Sequence, residues 1–174
     1  MHMRKYRHIF GPVPSRRFGR SLGVDLTPFK TCALNCVFCQ LGPSDAETVE
    51  RREYVPVAEV IGELRDWLAQ GGRADFVTLS GSGEPTLHSR FGEVLSFLDE
   101  ETDISSLLLT NGTLLHLPEV REAACRASAV KMSLSAWDEA SFQRVNRPHP
   151  SLTFRKLVDG EQAFARQFQG DLYL

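Results

Sequence analysis

The chain has 174 residues, of which 42% are apolar and 24% charged, and its net charge is −2 at neutral pH. That length suits one well-packed domain and is short for two, and the composition is ordinary for a globular protein. No apolar run approaches the roughly 18–20 residues that a membrane-crossing helix needs.

The first stretch, MHMRKYRHIFGPVPSRR, is basic, and no signal-peptide apolar core follows it. The chain is therefore expected in the reducing cytoplasm, where thiolates bind metals more often than they pair as disulfides. Residues 1–30 hold seven Lys or Arg (Arg4, Lys5, Arg7, Arg16, Arg17, Arg20, Lys30) against one acid, Asp25. Residues 1–20 read as a basic arm ahead of a core domain over 21–174. The arm either grips phosphate or forms structural salt bridges. Residues 41–101 reverse the balance, with thirteen acids against five Arg, and read as solvated helix faces.

SLGVDL (21–26) has the pattern of a strand, and KTCALNCVFCQLG (30–42) follows it with Cys32, Cys36 and Cys39. PVAEVIGELRDWLA (56–69) spaces Val57, Val60, Ile61, Leu64, Trp67 and Leu68 as one helix face, with Pro56 suited to the first turn. DFVTLSG (75–81) is a buried-type strand, and SRFGEVLSFLDEE (89–101) a helix through Phe91, Val94, Leu95 and Leu98. ISSLLLT (104–110) predicts a strand, PEVREAACRA (118–127) a helix and AVKMSLS (129–135) a strand. DEASFQRV (138–145) and TFRKLVDGEQAFARQF (153–168) are helical, and Asn146-Arg147-Pro148 breaks between them. DLYL (171–174) opens one more strand. Alternating strands and helices imply parallel pairing with right-handed crossovers, an α/β fold whose strands are covered on both faces.

The loops that follow the first four predicted strands carry the unusual residues. They are the cysteine loop, SGSGEPTLH (80–88), TNGTLL (110–115) and SLSAWD (133–138). All four fall at the carboxyl ends of parallel strands, where α/β sheets and barrels place their sites. Zinc needs four ligands for a closed site, and this loop offers three. Cys125, the remaining cysteine, falls in a predicted helix and reads as a packing residue. Three close cysteines favour an iron–sulfur cube with one iron left open, over zinc or a redox thiol pair. Asn111-Gly112 is also an ordinary turn dipeptide. Lys131 either pairs with a carboxylate or extends to solvent, Trp137 is a lid or core residue, and His88, His116 and His149 receive no role.

Cys32-x-x-x-Cys36-x-x-Cys39, with Phe38 just before the last cysteine, resembles the signature of the radical S-adenosylmethionine (radical SAM) superfamily. GSGEP (81–85) resembles that superfamily's Gly-Gly-Glu motif. FGPVPSRRFGRSLGVDLTP, SGSGEPTL, LLTNGTLL, VKMSLSAWD and VNRPHP resemble a narrower group, the radical SAM oxidoreductases related to wyosine-tRNA-forming enzymes. The resemblance runs over essentially the whole chain. It implies a partial (β/α) barrel, of which this chain supplies about four βα units and the start of a fifth strand. The family's last unit is expected to be missing, leaving an unpaired edge at Leu172, Tyr173 and Leu174.

The resemblance also implies the chemistry. Cys32, Cys36 and Cys39 would ligate a [4Fe-4S] cluster whose fourth iron is chelated by the amino and carboxylate groups of S-adenosylmethionine. One electron would cleave a carbon–sulfur bond, giving methionine and a 5′-deoxyadenosyl radical that takes hydrogen from the substrate. Phe38 would meet the adenine and shield the site. Gly81 and Gly83 would let backbone approach the ligand, and Glu84 would accept from its ammonium. Asn111 would reach the ribose or carboxylate, with Ser133 and Ser135 as candidates for the ribose hydroxyls. The implied partners are a flavodoxin- or ferredoxin-type electron donor and a macromolecular substrate, with tRNA favoured by the subgroup and the basic arm. Two other readings stay open, an electron-transfer or non-catalytic iron–sulfur module and an activating enzyme for another protein. The unpaired edge is expected to support self-association or a partner chain.

Overall fold

The computed structural model describes residues 6–44 and 46–174. Arg4 and Lys5 of the basic arm lie outside the described residues. The elements are β1 (Ile9–Ser15), β2 (Gly19–Val24), α1 (Val57–Ala69), β3 (Phe76–Leu79), α2 (Phe91–Glu101), β4 (Ser105–Leu109), α3 (Pro118–Ala124), β5 (Ala129–Lys131), α4 (Glu139–Ser141), α5 (Phe154–Gln167) and β6 (Asp171–Tyr173). A single 3-10 turn covers Pro85–Leu87, and α4 runs on into a π-turn over Phe142–Asn146.

The strands form one six-stranded sheet in the order β1-β2-β3-β4-β5-β6. β2 through β6 pair in parallel. This is the expected partial barrel, with four βα units and a fifth parallel strand. The first strand ends earlier than SLGVDL suggested, because Asp25 leaves the ladder and its carboxylate accepts from the Ser82 N–H at 3.1 Å.

Alternation splits the strands between two environments. Leu22, Val24, Val77, Leu79, Leu108 and Val130 point into a large core beneath the helices. There they meet Val57, Val60 and Leu64 of α1, Val94, Leu95 and Leu98 of α2, and Phe164 of α5. Fully burying an aliphatic or aromatic side chain of this size contributes roughly 1.5–3 kcal/mol. The other face is more polar than a doubly covered sheet requires: Ser21 and Thr78 share a hydroxyl hydrogen bond at 2.6 Å, and Lys131 stands on β5 in register with Leu109.

β1 was not expected. It pairs antiparallel with β2 across a register shift between Phe10 and Val13, so residues 9–15 form a hairpin edge. Their Gly-Pro and Val-Pro steps hide the alternation that marks a strand. The Glu63 carboxylate of α1 holds the start of β1 by accepting from the N–H groups of Arg7, His8 and Ile9 at 2.8, 2.9 and 3.2 Å. The hairpin turn then folds inward. Phe18 packs edge-on against Phe76 and Tyr173, with ring centroids 5.5 and 5.4 Å apart.

A second apolar cluster lies under the cysteine loop and contains Ala33, Leu34, Ala136, Phe142, Leu152 and Leu157. It anchors the loop against the segment that follows β5. Asp138 caps α4 through a reciprocal pair with Ser141, and the π-turn ends at Arg147 in a left-handed conformation, φ 45°. That kink sends Pro148 alongside Leu34 in an antiparallel bridge. No helix of the described residues is long and apolar enough to cross a membrane.

Candidate active site

The cysteine loop is held from both sides. The Asn35 N–H donates to the carbonyls of Asn146 and Arg147 at 3.0 and 3.1 Å, Val37 N–H to Val145 at 2.9 Å, and His149 N–H to Ala33 at 2.9 Å. On the opposite side Lys30 N–H donates to the Ser82 carbonyl at 2.6 Å and Glu84 N–H to the Thr31 carbonyl at 2.9 Å. Gly83 lies so close to this strap that a Cβ would collide with the Thr31 carbonyl oxygen. Gly81 has φ 130°, and a Cβ there would press on the Asp25 carboxylate. The glycines of the GSGEP stretch therefore serve a close approach of protein to protein.

Glu84 makes contacts within the protein that its sequence neighbours did not suggest. It is buried, and both of its oxygens are occupied by protein donors. Oε1 accepts from Thr86 N–H at 3.1 Å, Thr86 Oγ1 at 2.6 Å and Thr110 Oγ1 at 2.7 Å, while Oε2 accepts from Asn111 N–H at 2.7 Å. Burial pushes its carboxyl upward, and these hydrogen bonds oppose the shift. The side chain clamps the loop after β3 to the loop after β4, and Glu84, whose Oε2 has a single donor among the described residues, also lines the larger cavity. Asn111 is fixed in turn, since its Oδ1 accepts from Thr113 N–H at 3.0 Å and Thr113 Oγ1 at 2.6 Å. Its Nδ2 points at Cys32 Sγ, 3.4 Å away.

The three thiols differ. Cys32 is pushed up to about 12 by burial and then by the Glu84 charge. Cys36 is raised by burial, against a hydrogen bond from Asn146. For Cys39 burial pushes upward, but hydrogen bonds from Lys30 and the Leu41 backbone, with the Lys30 charge, bring it below its ordinary value. A metal overrides such values, because a coordinating thiol is deprotonated outright.

Among the described residues, no three His, Cys, Asp or Glu side chains converge closely enough to hold a single metal ion. A cube does not ask for convergence on a point, since each cysteine binds a different iron. The donor set, three thiols on one loop with N–H groups aimed at their sulfurs, fits an iron–sulfur cluster. Cys125 sits at the end of α3 beside Gln167 Nε2 at 3.4 Å and packs against the main core.

Two cavities meet at Cys32 and Gly83. One, of about 410 Å³, lies under the loop between Lys30, Phe38, Cys39 and Gly81. The other, of about 800 Å³, opens on the polar face of the sheet and is lined by Glu84, Asn111, Lys131, Ser133 and the hairpin turn Ser15–Phe18. Phe38 is 57% exposed on the rim. Ser133 is exposed in the larger cavity, and Ser135, half-buried, lines neither.

Residues 26–166 match the model of the radical SAM superfamily. This chain belongs to that superfamily. With membership come a [4Fe-4S] cluster, S-adenosylmethionine as cofactor and radical chemistry built on the two. The UPF0026 protein of Synechocystis sp. is 38% identical over 94% of this chain and 62% of its own length. That of Methanocaldococcus jannaschii is 33% identical over 94% of this chain and 51% of its own length. An S-adenosyl-L-methionine-dependent tRNA 4-demethylwyosine synthase of Danio rerio is 24% identical over 97% of this chain and 24% of its own length. The radical SAM chain described here thus spans about half the length of the UPF0026 relatives it matches.

Two residues at this radical SAM site were missed from sequence. Asn146 read only as part of a helix break, yet its Nδ2 lies 3.3 Å from Cys36 Sγ. Lys30 was counted only among the basic residues of 1–30, yet it is buried beneath the loop, with φ 63°. The one signal for Asn146 was VNRPHP, a string with no use in a plain helix–helix linker.

Proposed function

We propose that this chain is the cluster- and cofactor-binding part of a radical SAM enzyme that modifies tRNA, with Cys32, Cys36 and Cys39 as the cluster ligands. When bound, the cluster and S-adenosylmethionine supply an electron and a reductively cleavable carbon–sulfur bond, and with them the means to abstract hydrogen. The chain's own residues do the positioning. Glu84 locks the loops after β3 and β4 together, so that Asn111 faces Cys32. Phe38, Gly81 and Gly83 border the smaller cavity and Ser133 the larger, and the cofactor is assigned to the space where the two meet. Ser135 lines neither cavity and is given no contact with the cofactor.

The observation that carries the tRNA reading is the charge of the larger cavity. Arg16, Arg17 and Lys131 line it together with Cys32. None of the three forms an ion pair among the described residues. Arg20, by contrast, is bound to Asp75 at 3.4 Å. The two readings of the basic segment therefore divide: Arg20 is structural, and Arg16 and Arg17 are free to meet phosphate at the mouth of the cavity that holds the reactive end. The tRNA named in the wyosine-forming relative agrees with such a partner. An electron donor of the flavodoxin or ferredoxin class completes the proposed set.

Anaerobic reconstitution, reduction with dithionite and addition of S-adenosylmethionine, with and without tRNA, test the reading. Formation of 5′-deoxyadenosine and methionine, increased by tRNA, is the expected result. An intact cofactor under all conditions would assign the chain to electron transfer or binding. Cleavage indifferent to tRNA, with no tRNA binding at low salt, would remove tRNA as the substrate.

A further inference from the structure

Two of the three cysteine sulfurs have a side-chain N–H donor of their own, the third shares a cavity wall with a buried ammonium, and the three groups come from separate segments. Asn111 Nδ2, after β4, donates to Cys32 at 3.4 Å. Asn146 Nδ2, at the end of the π-turn, donates to Cys36 at 3.3 Å. The Lys30 ammonium, on the approach to the loop, borders the smaller cavity together with Cys39. We propose that two amide donors, Asn111 on Cys32 and Asn146 on Cys36, act with the buried charge of Lys30 to raise the reduction potential of the cluster these cysteines hold. The proposal rests on the cluster assignment above and goes beyond it.

Asn146 carries the argument furthest. The residue is 4% exposed, and its Oδ1 is buried with no hydrogen-bond partner among the described residues. A buried amide oxygen left unpaired is costly, and a neutral thiol is a weak acceptor that offers the other end of the amide little compensation. A metal-bound thiolate carries more charge and accepts strongly. The amide is thus arranged for the loaded loop.

Lys30 makes a parallel case. A lysine is rarely 92% buried, since the charge loses its hydration, yet this one is 8% exposed with its backbone in the left-handed region. Strain of that kind persists only where the surroundings enforce it, and here the Ser82 carbonyl does so. Asn111 completes the set, because its backbone N–H and Oδ1 are already committed to Glu84 and Thr113. Only its Nδ2 remains for sulfur.

Reduction adds one electron, from a one-electron donor outside the chain, and spreads negative charge over the cluster and its thiolates. N–H groups and a buried ammonium stabilise that extra charge more than they stabilise the oxidised form. No bond to the three residues forms or breaks.

The test is a dithionite titration of the reconstituted chain, followed by the electron paramagnetic resonance of the reduced cluster, with iron counted in every sample. Wild type is compared with Asn146→Leu, Lys30→Met and Lys30→Arg. Asn146→Leu and Lys30→Met are expected to keep about four irons per chain. At a fixed potential each should show a roughly tenfold lower ratio of reduced to oxidised cluster, which is about 59 mV for a one-electron couple. Lys30→Arg, which keeps the charge, should recover most of that shift. Unchanged midpoints in Asn146→Leu and Lys30→Met with iron intact would overturn the proposal, as would loss of the cluster from all three variants. A wild-type chain that takes up no cluster would overturn the assignment beneath it as well.

Discussion

Replacing Glu84 by Ala separates two roles that a strand-end carboxylate can play. In the structure its oxygens accept from two backbone N–H groups, those of buried Thr86 and half-buried Asn111, and from the hydroxyls of Thr86 and Thr110. Removing the carboxylate leaves the two N–H groups unpaired, at about 1–3 kcal/mol each, or about 2–6 kcal/mol together. Relief of a buried charge offsets part of this, so the lower half of that range is the better expectation. For a chain of this size 1 kcal/mol shifts the midpoint of thermal unfolding by roughly 2–4 °C. Circular dichroism of the metal-free, ligand-free chain should therefore show a fall on the order of 10 °C. The loop that carries Asn111 also loses its tether, so the reconstituted variant should hold its cluster less firmly. If Glu84 instead serves only to meet the cofactor's ammonium, the free chain will melt where the wild type does, and affinity for S-adenosylmethionine alone will fall. That result would refute the clamp.

Changing any one of Cys32, Cys36 or Cys39 to Ala should strip iron from the reconstituted chain, while Cys125→Ala should leave iron and colour intact by iron assay and absorbance. Charge reversal of Arg16 and Arg17 together should lower both tRNA affinity and the slope of log affinity against log salt, since each lost phosphate contact releases fewer counterions; an unchanged slope would place RNA elsewhere. Gly83→Ala should destabilise by about 1–3 kcal/mol as Cβ forces the two loops apart, whereas Gly62→Ala, in helix α1 with open space around it, should stabilise by roughly 0.4–1 kcal/mol in urea unfolding. Burial raises the Glu161 carboxyl from 4.5 to about 7, so the folded state binds the proton more tightly and loses stability as pH rises through that window. Glu161→Gln should flatten this slope and be the more stable chain at pH 8, by about 1–3 kcal/mol after allowance for solvent near the group; parallel pH profiles would show that Glu161 ionises freely.

The elements that hold the site follow rules that act over a few residues, and these were legible. Val57, Val60 and Leu64 repeat at helical spacing, Pro118 starts α3, Thr153 caps α5, and the four polar loops fall at strand ends because the strands between them are apolar. The hairpin edge was hidden for the same reason in reverse, since Pro12 and Pro14 interrupt the alternation of residues 9–15. Polar partners obey no such local rule. Glu84 reads equally well as a ligand contact or a clamp until Thr110 and Asn111, 26 and 27 residues away, are seen to close around it. Gly83 is small in either case, and only the Thr31 carbonyl shows what it must admit.

The same distinction bears on what the cysteine motif is. Cys36 meets Asn146 across 110 residues of chain, and the backbone of 145–147 forms a rail on which Asn35 and Val37 hang. A loop with three cysteines and no such rail would be free to change the spacing of its sulfurs, and the order gained on binding metal would then have to come from the metal alone. Here Ala33 and Leu34, between the first two cysteines, are already buried with Phe142 and Leu157, so that part of the loop's backbone is placed by packing before any ligand arrives. The metal site is thus assembled from both ends of the domain: residues 30–39 supply the sulfurs and residues 142–149 supply their frame. Substitutions in VNRPHP that disturb this backbone frame belong with those in the cysteine loop when loss of iron is interpreted, whereas Asn146→Leu, which keeps the frame, should retain it.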